Sequence, residues 1–302
     1  MTYLALNILF SSAFGLCIKW IGVRKREDIF TVGPINYLTA ALLVTPLFVG
    51  QDATTDFSAV LCGGWMGAIY FTAFFFVVYS IKHVGAAPTT VVGGLSLLLP
   101  IGVAAVLWKE TPTLAQCVGV GFAVVALALI GVRRKPRVEP EHSTHAAEPP
   151  GESIGSRKRY IIALVLTAFF LLAGSARLAQ RTLKHVVENA DEQRATFLFT
   201  AFVVASVPSI ILLIARRRKI SLAEFGMGVA MGASNVLQSH FILTALEQFE
   251  GYIVFPVSAA GGLLLTTFVA TRLLGEKLNR QTYVGIAVAV VALVLLNWVG
   301  GE

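Results

Sequence analysis

Apolar residues run along this chain in long unbroken stretches, parted by short polar turns. About ten of them, near 2–23, 33–50, 57–80, 84–108, 113–132, 159–177, 195–215, 222–246, 251–274 and 280–300, approach the roughly 20 residues that carry a helix across a bilayer core. The runs are continuous rather than alternating, which predicts helices and excludes the pattern of an outer-membrane barrel. Residues 133–158 break the series. They are rich in Pro, Glu and basic residues, cannot bury enough apolar area to offset chain entropy, and are predicted to be a disordered linker. His142 and His145 within it are read as solvated histidines, not as a metal site.

Composition sharpens the pattern. Hydrophobic residues make up 56% of the 302 and charged residues 14%, against about 25% charged in ordinary soluble domains. With a mean hydropathy of +0.76, the chain needs a bilayer as its solvent. A net charge of +7 would suit nucleic acid, but the basic residues sit in short clusters between apolar spans, so no nucleic-acid partner is expected. Cys17, Cys62 and Cys117 each lie inside an apolar run without paired spacing, which implies neither a disulfide framework nor a zinc site. The first residues lack a basic region and a cleavage site, so the first span is expected to be retained.

The linker separates two halves that resemble each other. Leu97-Leu98-Leu99 matches Leu263-Leu264-Leu265, and the same offset aligns Leu107 with Leu273, Glu110 with Glu276, Gly119 with Gly285, and Ala123–Leu127 with Ala289–Leu293. The expected organisation is a first five-helix repeat over 1–132, the linker over 133–158 and a second five-helix repeat over 159–302. Five spans is an odd number, so the second copy must enter the membrane the opposite way up. Inverted repeats of this kind are typical of transporters, with the solute site between the copies near the midplane. The fold class expected is therefore an all-α membrane protein of about ten transmembrane helices in two inverted repeats.

Basic residues set the orientation. All of the 24 Lys and Arg except Lys109, Arg177, Arg181, Lys184 and Arg194 fall late in the first span or in the connections after odd-numbered spans. The positive-inside rule then places the linker in the cytoplasm and both termini outside.

Polar residues inside spans usually face a protein interior or a water-filled path. The eighth span is the most polar, with Ser234, Asn235, Gln238, Ser239, His240 and Thr244. Asn235 and Gln238 could bond a solute in a central cavity or bond neighbouring helices. His240 could carry a coupling proton or serve as a structural donor. Lys19 and Arg177, late in the first helix of each half, could bind an anionic group, although snorkelling to the interface accounts for both. Asn36 and Tyr37 open the second span, and Trp65 and Tyr70 in the third could stack on a solute ring. Gly63-x-x-x-Gly67 and Gly228-x-x-x-Gly232 predict close helix packing. Pro88, Pro100, Pro208 and Pro256 are expected to interrupt spans, and Gly93-Gly94 and Gly261-Gly262 lie near the repeat register in the fourth and ninth, with Ser96 and Ser258 beside these weak points as cavity candidates. No phosphate-binding loop, zincin motif or nucleophile elbow occurs, so no ATP-driven pump and no enzyme of those kinds is encoded.

Leu107-Trp108-Lys109-Glu110 and Leu273-Leu274-Gly275-Glu276-Lys277-Leu278 resemble the Gly-Glu-Lys/Arg-Leu turn between the last two helices of each repeat in the EamA-like proteins of the drug/metabolite transporter superfamily. The first copy departs, with Lys109 in place of glycine. Gly15–Lys19 followed by Arg24-Lys25-Arg26 is more similar to the superfamily's sugar-permease branch. The first span carries Phe10-Ser11-Ser12 where small multidrug exporters of the superfamily use a glutamate. The resemblance implies a ten-helix secondary carrier in the inner membrane of a bacterium. It would move a small polar solute by alternating access, alone or with a coupling proton or cation, and no cofactor is implied. An intramembrane enzyme using His240, Glu247 and Asn235, or a membrane scaffold or sensor, are the competing readings. Sugars, amino acids and nucleobase-like solutes fit the lining equally, and the sequence does not set an oligomeric state.

Overall fold

The computed structural model describes residues 1–24, 28–51, 54–83, 86–109, 112–131, 156–273 and 280–296. Among them eleven helices follow one another without a strand: α1 Thr2–Arg24, α2 Ile29–Val49, α3 Phe57–His83, α4 Ala86–Leu95, α5 Leu98–Leu107, α6 Leu114–Gly131, α7 Ser156–Val186, α8 Arg194–Arg216, α9 Leu222–Gln248, α10 Gly251–Leu273 and α11 Arg280–Leu296. They correspond to the ten expected stretches, with the fourth divided into α4 and α5. Helix α7 begins at Ser156, inside the expected linker, whose residues 133–155, including His142 and His145, lie outside the described ones.

Five segments are long and apolar enough to cross a membrane: Ile29–Val49, Phe57–Ser80, Tyr160–Val186, Arg194–Arg216 and Gly251–Arg272. Shorter apolar helices run over Thr2–Ile18, Val91–Leu107, Leu114–Leu129 and Arg280–Leu296. Helix α9 is as long as α3, but its amides, hydroxyls and histidine lower its hydropathy. Leu42, Leu47, Val106, Leu164, Ile211 and Phe268 are each more than half exposed. So much bare aliphatic surface suits acyl chains, not water, and the chain is an integral membrane protein.

Lipid removes the hydrophobic drive between helices, so close approach through small residues must supply it. Both glycine seams do so. Gly63 and Gly67 of α3 lie against the Phe197 and Ala201 carbonyls of α8. Gly228 of α9 lies against Ile35 of α2, and a Cβ on Gly232 would stand 2.7 Å from the Asn36 carbonyl oxygen. Helix α2 thus packs between α8 and α9, α3 between α7 and α8, and α1 between α9 and α10, while α6 pairs with α11. One apolar core joins Tyr37, Val44, Met66, Phe197 and Phe202, and a second joins Leu4, Leu97, Leu127, Leu246, Phe255 and Leu296.

The prolines differ in effect. Pro208 and Pro256 lie inside continuous helices, contrary to the expectation that both interrupt their spans. Around Pro208, the Ser206 and Ser209 hydroxyls bond the Val203 and Ala205 carbonyls at 2.9 and 2.6 Å, on either side of the one the proline leaves free. Pro100 has no N–H for the Ser96 carbonyl and disfavours helix at the residue before it. There the chain tightens, with Leu97 N bonding Gly94 O and Leu99 N bonding Ser96 O, both at 3.2 Å. The Gly93 carbonyl, whose helical partner would be Leu97 N, is left to side chains.

Candidate functional site: a polar path between helices

Side chains of six helices and the α4–α5 break form a polar set through the bundle. On α1, the Asn7 amide donates to the Gln238 carbonyl of α9 at 2.8 Å, and the Ser258 hydroxyl of α10 bonds Asn7 Oδ1. Gln238 donates to Asn235 at 3.2 Å, and Asn235 donates to Asn36 of α2 at 3.4 Å. The next residue, Tyr37, donates its hydroxyl to the Tyr70 carbonyl of α3 at 3.0 Å and stacks on the Tyr70 ring. The Tyr70 phenol in turn bonds the Ser239 side chain. Arg177 of α7 lies within electrostatic reach of Tyr70, and its Nη1 donates to Gly93 O at 2.9 Å and to Ser96 Oγ. Ser96 itself bonds Gly93 O at 2.7 Å. Asn235 and Tyr70 both stand at the midpoint of their helices.

Eight residues singled out from the sequence therefore lie together: Asn36, Tyr37, Tyr70, Ser96, Arg177, Asn235, Gln238 and Ser258. Arg177 does not snorkel. Gly174, one turn before it, packs against Ser96 O and Leu99, and this close approach carries the guanidinium to the carbonyl that the break exposes. Trp65 stands apart, 44% exposed. It shares a stripe with the exposed Leu61, Ala68 and Thr72, opposite the buried Cys62, Met66 and Ile69. His240 also lies off the set. Its ring meets Phe241 edge-on, and its charged neighbours are Arg194 and Glu247. Lys19 lies in α1, with its side chain outside the described ones.

Asn7 and Ser12 complete the set without having been singled out. Ser12 bonds Gly262 O at 3.1 Å. The signal is present in the sequence, since Asn7, Ser11 and Ser12 interrupt an otherwise apolar span.

Charged side chains close both ends of the bundle. At one end, Asp28 caps α2, pairs with Arg216 and Arg218, and donates its backbone N–H to Glu224 at 3.0 Å. Glu224 forms a capping box with Ser221 and pairs with Arg218 at 3.0 Å. At the other end, Arg181, 1% exposed, pairs with Glu250 and bonds Leu246 O, while Arg194 pairs with Glu247. Gln193 bridges to Thr54 O and to the Asp56 N–H there, and Gln51 bonds Thr196. The α1–α2 and α8–α9 turns thus share one end, and the α2–α3, α7–α8 and α9–α10 turns share the other. Two crevices lie off the polar set: one of about 430 Å³ lined by Asp56, Glu188, Glu192 and Gln193, and one of about 270 Å³ between α10 and α11 at Phe268 and Arg272.

A protein of known crystal structure shares this fold throughout, with a TM-score of 0.71 at 14% identity over 98% of this chain and 95% of that one. No curated protein matches the sequence. The EamA-like transporter family model matches residues 1–132, the half that contributes Asn7, Asn36, Tyr37, Tyr70 and Ser96 to the polar set. Residues 1–132 are thus similar to an EamA-like transporter domain, within a chain whose apolar helices make it an integral membrane protein.

Proposed function

We propose that the chain is a secondary carrier that moves a small polar solute by alternating access. Its two inverted repeats are 1–132 and 159–302, joined by the cytoplasmic linker 133–158, and both termini face outward. The observation that carries this reading is the polar set itself. It joins α1, α2, α3 and the α4–α5 break of the first half to α7, α9 and α10 of the second, and polar side chains at such depth are costly unless they serve a path or a partner.

The pairing of helices supports two copies related by inversion. Helix α1 packs on α9 as α7 packs on α3, α2 on α9 as α8 on α3, and α1 on α10 as α7 on α4 and α5. The two glycine seams fall on the equivalent pairs α3–α8 and α9–α2, and Gly93 meets Phe169 of α7 as Gly261 meets Ile8 of α1. The solute is held among Asn36, Tyr37, Tyr70, Ser96, Arg177, Asn235, Gln238 and Ser258, whose bonds to one another exchange for bonds to the solute.

Flux into proteoliposomes of the full chain, across panels of sugars, amino acids and nucleobases, tests the reading. At least one solute should enter faster than into empty vesicles. Asn235→Leu, which keeps the branched skeleton and removes the amide, should cut that rate at least about tenfold, as expected when buried polar groups lose a partner. Rates that match empty vesicles for every solute would end the carrier reading.

A further inference from the structure

We propose that Arg177 is the point on this path that recognises an acidic group, so that the solute is a small organic anion or zwitterion bearing a carboxylate or phosphate. The inference rests on the carrier reading above and adds the substrate's charge.

Arg177 differs from the arginines at the bundle's ends. Arg181, Arg194, Arg216 and Arg218 each pair with Asp28, Glu224, Glu247 or Glu250. No carboxylate among the described residues pairs with Arg177. Its two bonds, to Gly93 O and Ser96 Oγ, are both made by Nη1. A guanidinium has five donors in a planar fork. Nε and Nη2 meet no acceptor among the described residues, and they are not sealed, since Ser80 Oγ is the only described side-chain atom both sealed and unpartnered. An open edge with parallel N–H groups is the shape that takes a carboxylate or phosphate in two bonds.

The electrostatics agree. The Gly93 carbonyl belongs to the C-terminal end of α4, and a helix end offers about half a negative charge. That offsets only part of a full cation and leaves a net positive site in a low-dielectric interior, where charge attraction is strongest. Beside it stands the Tyr70 phenol, which bonds Ser239 and whose ring stacks on Tyr37, the residue after Asn36. These neutral groups can bond the remainder of the solute. Were Arg177 only a cap for α4, one donor to Gly93 O would suffice and the free edge would have no use.

The test compares matched acidic and neutral probes on the purified full chain: lactate with propanediol, glycerol phosphate with glycerol, and benzoate with benzyl alcohol. Both thermal shift and counterflow are read. At least one acid should raise the melting temperature and exchange across the membrane while its neutral partner does neither. Arg177→Gln, whose amide can still donate to Gly93 O, should weaken that acid at least about tenfold. Arg177→Lys, which keeps charge without the fork, should fall between. Equal response to acid and neutral partner, or no response to any acid, overturns the proposal, as does acid binding that survives Arg177→Gln. Neutral solutes carried equally by wild type and Arg177→Gln would reject the anion site while leaving the carrier reading intact. Arg177-dependent acid binding without any flux would do the reverse. Vesicles with and without phosphatidylglycerol separate a lipid headgroup from a solute: an Arg177-dependent shift from that lipid alone, with none from soluble acids, overturns the solute assignment.

Discussion

Lys109 sits just past α5 with φ at 54°, in the left-handed region that costs a side-chain-bearing residue about 1–2 kcal/mol and glycine almost nothing. The EamA-like turn that the sequence resembles has glycine at this place, and the backbone supplies the reason. Lys109→Gly should therefore raise the unfolding free energy by about 0.5–1 kcal/mol, since the relief of strain exceeds the added chain entropy. Thermal unfolding in detergent measures it, and a lower midpoint would mean that the lysine side chain contributes more than its backbone costs. The departure was visible in the sequence, but its conformational meaning needed the dihedral. Arg177 shows the same limit from another side. Its position late in a span fits snorkelling as well as burial, and only the approach of Gly174 to Ser96 O decides which way the side chain turns. Asn7 was readable as a polar interruption, whereas its partner, the Gln238 carbonyl, lies 231 residues away and no local spacing announces it.

At the scale of helices, small residues were the most legible feature. Two Gly-x-x-x-Gly pairs predicted seams, and each seam sits where a Cβ would strike a neighbouring helix. Gly67→Ala should destabilise by about 1–3 kcal/mol, because the new methyl meets the Ala201 backbone, which cannot swing aside as a side chain could. Gly121 in α6 is the control, with open space where its Cβ would stand. Gly121→Ala should be neutral or stabilising by up to about 1 kcal/mol, from helix propensity alone. Equal unfolding midpoints for the two variants would remove the seam argument. Helix breaks were less legible. Pro100, Pro208 and Pro256 look alike in the sequence, yet only the fourth span parts, where Pro100 coincides with the tightened turn at Ser96-Leu97. At Pro208 the adjacent Ser206 and Ser209 hydroxyls bond the carbonyls beside the freed one, an arrangement that a proline count does not contain.

For the whole molecule, the two ion-pair groups at opposite ends are the features that alternating access would have to break in turn. Asp28 holds the α1–α2 turn to Arg216 and Arg218, while Glu250 and Glu247 hold the start of α10 and the end of α9 to Arg181 and Arg194. Pairs with one partner partly exposed carry at most about 1 kcal/mol each, roughly a fivefold change in population. That is enough to bias a protein whose two states lie close in energy, without unfolding it. A cysteine at Ser258, in a chain whose Cys17, Cys62 and Cys117 are replaced by alanine, reports access to the path from either end. Glu250→Gln should raise its labelling by an impermeant maleimide several-fold from the Glu250 side and lower it from the Asp28 side. Asp28→Asn should do the opposite, because freeing one end draws population away from opening at the other. The reciprocity is the discriminating result. A channel open along its length would gain labelling from both sides in either variant, and a static scaffold would gain none, whereas two inverted halves sharing one path must gain at one end what they lose at the other.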